Sequence, residues 1–138
     1  MIYAVIDTNV LVSALLTHNM DAATAKVVQA LMKHQFTPLY NEEIIDEYSD
    51  VLNRAKFGFS KSTVISYINA IKHLGQEASR IPSNEHFPDP KDIVFYEVAM
   101  SKEDAYLVTG NTKHFPQKPI VVTPAEMVEI LTNNGLLE

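Results

Sequence analysis

The chain has 138 residues, a formal net charge of −6, 46% hydrophobic and 20% charged residues, and no cysteine. That length suits one domain spanning residues 1–138, and the apolar content excludes a disordered chain. The missing cysteines exclude a disulfide framework and thiolate chemistry, and the acidic balance argues against a protein that coats nucleic acid through phosphate contacts.

Ile2-Tyr3-Ala4-Val5-Ile6 is a short apolar run of β-formers, which predicts a strand buried on both faces. It carries no basic leader and is too short to span a membrane, so a cytoplasmic, non-membrane protein is expected. After Asp7, a helix begins at Thr8 or Asn9 and runs through Leu16. Asp21 is positioned to cap a helix over Ala22–His34, and Phe36–Tyr40 reads as a second strand. Asn41 caps a helix on which Ile44, Ile45, Tyr48, Val51 and Leu52 recur at helical spacing. Ser60 opens another, with Val64, Ile68 and Ile71 on one side, and Gly75 ends it in the manner of a C-terminal glycine cap. Ser79–Pro82 reads as a brief extended piece. Asp89-Pro90 opens a helix to about Met100, with proline at its first position. Tyr106–Thr109 and Ile120–Val122 are the last strands, and Thr123-Pro124 caps a final helix through Leu131. Alternating strands and helices predict an α/β layer fold with a mostly parallel central sheet.

In open parallel sheets, ligands bind beyond the carboxyl ends of the strands. Asp7-Thr8-Asn9 and Thr109-Gly110-Asn111 both stand at such ends. Asp7 has two readings there: cap of the following helix, or member of a site. Asp92 lies early in its helix, where an acid also suits the dipole. Glu47 sits with Glu42, Glu43 and Asp46 on a helix whose acids otherwise read as a solvated face; its place near the apolar stripe sets it apart. Carboxylates gathered at one place repel each other unless a cation joins them. Mg²⁺ and Mn²⁺ prefer such oxygen donors, and the chemistry they enable is attack of activated water on a phosphodiester.

The run Val5-Ile6-Asp7-Thr8-Asn9-Val10-Leu11-Val12-Ser13-Ala14-Leu15 resembles the opening of PIN-domain nucleases. Asn41–Tyr48 with Val51-Leu52-Asn53-Arg54 resembles the second block of that family, and Asp89-Pro90-Lys91-Asp92 the third. Ala105–Phe115, which contains Val108-Thr109-Gly110-Asn111 and His114, resembles the fourth. The resemblance covers residues 2–131 and implies a three-layer PIN-like fold with metal ligands Asp7, Glu47 and Asp92. Glu43 and Asp89 are the alternatives to the last two. It assigns Asn111 to the catalytic set, with Thr8, Asn9 and Thr109 in support. It further implies Mg²⁺ or Mn²⁺ as cofactor, RNA as substrate, a homodimer, and a small antitoxin protein as partner. The nearest likeness is to VapC-like toxin components of prokaryotic toxin–antitoxin pairs.

The sequence departs from the family at Asn111, where many members carry Asp, leaving three formal charges in the site. Three suffice for one Mg²⁺ with waters. Asp104 is a poor substitute, because a strand of about four residues separates its two ends by roughly 13 Å. Arg54 with Lys56, and Lys113 and His114 with Lys118, are candidates to grip the RNA backbone; His114 alone also reads as an ordinary turn histidine. The helices over Ala22–Met32 and Val64–Leu74 offer apolar faces for a dimer. Two other classes compete. A phospho-receiver module shares the acid after the first strand, but lacks a strand-end Asp midway, and Lys118-Pro119 precedes its strand. A PIN-like module that binds without cleaving is favoured by Asn111 alone, and a DNA-directed nuclease would use the same acids.

Overall fold

The computed structural model describes residues 1–137; Glu138, the last position of the expected domain span, lies outside the described residues. In chain order the described elements are β1 (Tyr3–Ile6), α1 (Thr8–Leu16), α2 (Ala23–Met32), β2 (Thr37–Tyr40), α3 (Glu42–Leu52), α4 (Lys61–Leu74), β3 (Gln76–Glu77), α5 (Ile93–Ala99), β4 (Tyr106–Val108), β5 (Val121–Val122) and α6 (Pro124–Asn133). Single turns of 3-10 helix fall at Ala55–Phe57, Pro90–Asp92 and Thr112–His114.

The five strands form one sheet in the order β3-β2-β1-β4-β5, and every pairing is parallel. Helices flank it in a three-layer α/β arrangement. β1 is central because it can be: Ala4, Val5 and Ile6 are all buried, pairing with β2 on one side and β4 on the other. The order of strands reverses between β1 and β4. A parallel sheet opens a crevice at such a reversal, beyond the carboxyl ends of the two strands. Asp7 and Thr109 are the residues that leave those two ends.

β2 contains a proline without losing a ladder bond. Thr37 donates its N–H to the Ile2 carbonyl on the β1 side, so Pro38, the alternate residue, faces away. β3 begins one residue later, opposite Leu39. Its side chains are polar and exposed, which is why the apolar pattern misses it: the expected extended piece at Ser79–Pro82 is irregular, and the strand lies at Gln76–Glu77. Gly75 also differs from expectation. It is extended (φ −93°, ψ −177°), not left-handed, and is required by close approach, since a Cβ would lie 2.5 Å from both the Ile71 and Pro38 carbonyl oxygens.

Asn41, Ser60 and Thr123 cap α3, α4 and α6 through their side chains, Thr123 in a reciprocal capping box with Glu126. Asp21 does not cap α2; the helix starts two residues later, after extended Ala22. The helix opened by Asp89-Pro90 is a 3-10 turn that passes into α5 at Ile93. The apolar side of α2, a candidate dimer face, is buried against α1, α4 and α6. Among the described residues, no helix is long and apolar enough to cross a membrane.

Candidate active site

Asp7 occupies the position before α1 but does not cap it with its side chain. Its Oδ2 instead accepts from Thr109 Oγ1 at 2.7 Å and from Asn9 Nδ2 at 3.0 Å. Asn9 closes the loop by accepting the Gly110 N–H on its Oδ1 at 3.1 Å, and Thr109 Oγ1 accepts the Asn111 N–H at 3.0 Å. The ends of β1 and β4 are thereby laced together around one carboxylate that is only 6% exposed. Burial raises the Asp7 pKa, and the Thr109 hydroxyl, Thr8 backbone and Asn9 amide offset part of that rise, while Glu47 adds to it.

Glu47 lies half-buried on α3 and accepts from Thr8 Oγ1 at 3.0 Å. The next residue, Tyr48, is fully buried and donates its hydroxyl to the Ile6 carbonyl, fixing α3 against the last peptide before Asp7. Burial, with Asp7 and Glu47 nearby, holds that phenol well above its ordinary pKa. Glu43, one turn earlier, faces Arg80 instead, at 2.9 and 3.1 Å. The structure thus directs Glu47, and not Glu43, toward the end of β1.

Asp92 ends the 3-10 turn that leads into α5, with a side chain 16% exposed. Its Oδ2 is buried without a hydrogen-bond partner; His114 Nδ1 stands 3.5 Å away, at the limit of hydrogen-bond reach. Burial pushes the Asp92 pKa up to about 6, and Asp7, Asp89 and Glu47 push the same way against His114. Asp89 itself is exposed and accepts the Lys91 N–H at 3.0 Å as the cap of the turn.

Asp7, Glu47 and Asp92 therefore share one neighbourhood and feel each other's charge. Among the described residues, however, no three acidic or histidine side chains converge as a ready-made metal nest. The donor chemistry fits a hard divalent cation all the same. Every donor is a carboxylate oxygen, one of them is buried and orphaned, and two of the three acids sit above their ordinary pKa.

The other sequence candidates fall out unequally. Asn111 is exposed, with a side chain that hydrogen-bonds none of the carboxylates, so the expected catalytic amide stands at the rim. Lys113 and His114 follow it, with His114 against Asp92. Arg54 pairs with Asp50 at 3.4 Å beyond the end of α3, roughly 10 Å along the helix axis from Glu47, and takes no part in the cluster. Asp104 is exposed and left-handed (φ 64°) in the turn before β4, at the far edge of the sheet.

Sequence reasoning passed over Arg80, Glu97 and the hydroxyl of Tyr48. Glu97 carried a signal: it is a lone acid in the otherwise apolar, buried run Ile93–Ala99, and a buried charge needs a partner. That partner is Arg80 Nε, 2.8 Å away.

Compared with known families, residues 3–113 match the profile described as the PIN domain. The matched span runs from β1 into the 3-10 turn after Asn111, so it includes Asp7, Glu47, Asp92 and Thr109. Comparison with curated proteins and with solved structures produced no significant match.

Proposed function

The chain belongs to the PIN domain family, a family of nucleases, and on that premise we propose that it is an endoribonuclease dependent on Mg²⁺ or Mn²⁺. The observation that carries the reading is the buried Asp7 carboxylate at the strand reversal, held by Thr109 and Asn9 and facing the charges of Glu47 and Asp92.

In this reading Asp7, Glu47 and Asp92 hold the cation. When bound, it supplies Lewis-acid activation of water and neutralisation of charge on the scissile phosphate. The chain's own residues set the stage. Thr109 and Asn9 both donate to one oxygen of Asp7, and the other oxygen would meet the cation. Thr8 orients Glu47 in the same way, and such supporting bonds are typically worth 10- to 100-fold in metal affinity. Asn111, exposed at the rim, would donate its amide to a phosphate oxygen.

The RNA strand would continue over a groove of about 720 Å³ between the loop after β4 and the start of α6. Lys113, Gln117 and Lys118 line it above Phe115, Val121 and Val122. The groove begins where β5 ends, beside Thr109, whose N–H donates to the Val122 carbonyl. Two lysines offer phosphate contacts there, Lys118 standing also 3.6 Å from Glu85, with Glu126 on the same groove wall.

The test is digestion of matched RNA and DNA oligonucleotides by the wild type and by Asp7→Asn, with Mn²⁺ and with excess EDTA. RNA cleavage that vanishes in the variant and in EDTA is expected. Cleavage that survives either would refute the metal-nuclease reading, and equal cutting of DNA would refute the RNA preference. The likeness of the four sequence blocks to toxin components supports a toxin role with an antitoxin partner, for which growth arrest on expression of the chain alone is the readout. A homodimer belongs to the same reading and is checked by sedimentation. A binding module without cleavage is the second reading, favoured by the disengaged Asn111 side chain; RNA binding without cleavage at any metal concentration would select it.

A further inference from the structure

Arg80 lies in the irregular segment between β3 and the Pro90–Asp92 turn, outside every element that carries a candidate ligand. Its guanidinium bridges two carboxylates away from the site. Nη1 donates to both oxygens of Glu43 on α3, at 2.9 and 3.1 Å, and Nε donates to Glu97 Oε1 on α5 at 2.8 Å. Glu97 is only 7% exposed, and its second oxygen accepts the Ser83 N–H at 2.7 Å. Burial lowers the Arg80 pKa, but the two carboxylates outweigh it and hold the side chain firmly cationic.

Of the two helices joined by this guanidinium, α3 carries Glu47 and α5 follows directly on Asp92. Glu43 is one turn before Glu47, about 6 Å along α3, and Glu97 is five residues after Asp92, about 7.5 Å along α5. On the core side the same helices meet through Tyr48 and Phe95, with ring centroids 6.3 Å apart. At the rim, Glu47 and Asp92 repel each other and Asp7. A planar fork bonded to both helices opposes that repulsion, and arginine is the side chain suited to it.

We propose that Arg80 is a positioning residue: a strut between α3 and α5 that sets the separation of Glu47 and Asp92 for a divalent cation. This rests on the metal-site reading given above. It makes a prediction opposite in sign to simple electrostatics. Removing a positive charge near a cation site should strengthen cation binding, whereas removing a strut should weaken it.

The experiment is calorimetric titration of Mn²⁺ alone into the wild type, Arg80→Ala, Arg80→Lys and Arg80→Ala/Glu97→Gln, with the melting temperature of each measured separately. The double variant avoids leaving Glu97 charged and unpaired in the interior, so it keeps the test open if Arg80→Ala folds poorly. The expected result is Mn²⁺ affinity weakened about tenfold or more in both alanine variants, the size typical of lost outer support, and an intermediate loss in Arg80→Lys. Unchanged or tighter Mn²⁺ binding by folded alanine variants overturns the strut and leaves the metal site standing. A wild type that takes up no Mn²⁺ overturns both.

Discussion

Replacing Asp92 by asparagine should stabilise the metal-free protein at pH 7.5 and leave it nearly unchanged at pH 4. Folding lifts the Asp92 pKa from 3.8 to about 6. A carboxylate whose folded pKa is raised holds its proton more tightly in the folded chain. Its stabilising contribution is complete below 3.8 and is lost as pH rises through about 6. Above that range the wild type folds with a charge that burial, Asp7 and Asp89 all oppose. At 1.36 kcal/mol per pH unit the difference is roughly 3 kcal/mol, a large share of the 5–15 kcal/mol that holds a domain together. It corresponds to about 6–12 °C in melting temperature for a chain of this size. Urea denaturation in EDTA at both pH values measures it, for wild type and Asp92→Asn. A variant less stable than wild type at pH 7.5, or equally stabilised at pH 4, would refute the reasoning. Mn²⁺ should then stabilise the wild type at pH 7.5 and do so far less in Asp92→Asn, because ligand binding to the folded state raises stability by mass action.

The other predictions probe separate parts of the fold and site. Gly75→Ala should cost about 1–3 kcal/mol or more in urea denaturation, since the new methyl meets two backbone carbonyls that cannot move independently. Asn111→Asp should tighten Mn²⁺ binding about fivefold by titration calorimetry, the equivalent of roughly 1 kcal/mol between charges in water-like surroundings. No change there would remove position 111 from the site. Lys113→Ala/Lys118→Ala, made in the Asp7→Asn background, should lower the slope of log affinity against log salt by about 1.4 for single-stranded RNA measured by fluorescence anisotropy. An unchanged slope would take the strand off that groove.

Much of the frame was legible in local chemistry. Side chains that act on their own backbone can be read from sequence, and Asn41, Ser60 and Thr123 each cap the helix that follows them. A continuous apolar run ending in an acid located β1 and Asp7, because burial on both faces leaves no other place for Ala4, Val5 and Ile6. Where local pattern failed, backbone pairing or close packing had decided the matter. β3 exists because β2 had an open edge opposite Leu39 and Tyr40, and its polar side chains left no trace in the periodicity. Gly75 looked like a left-handed cap and is instead the only residue thin enough to pass between two carbonyls.

The candidate site divides in the same way. The sequence alone determined that Asp7 follows a buried strand, that Asp92 lies early in a helix, and that Glu43 and Glu47 lie one turn apart on the same side of α3. It set Glu47 apart only by its place near the apolar stripe, and left Glu43, one turn away, as the alternative. Tertiary structure chose: Thr8, 39 positions before Glu47, draws it to the end of β1, and Arg80, 37 positions after Glu43, holds that acid elsewhere. The hydrogen bond from Thr109 to Asp7 spans 102 positions and turned an apparent helix cap into a held carboxylate. Such partners are set by which strands neighbour each other in the sheet, and a linear pattern holds no record of that until the chain has folded.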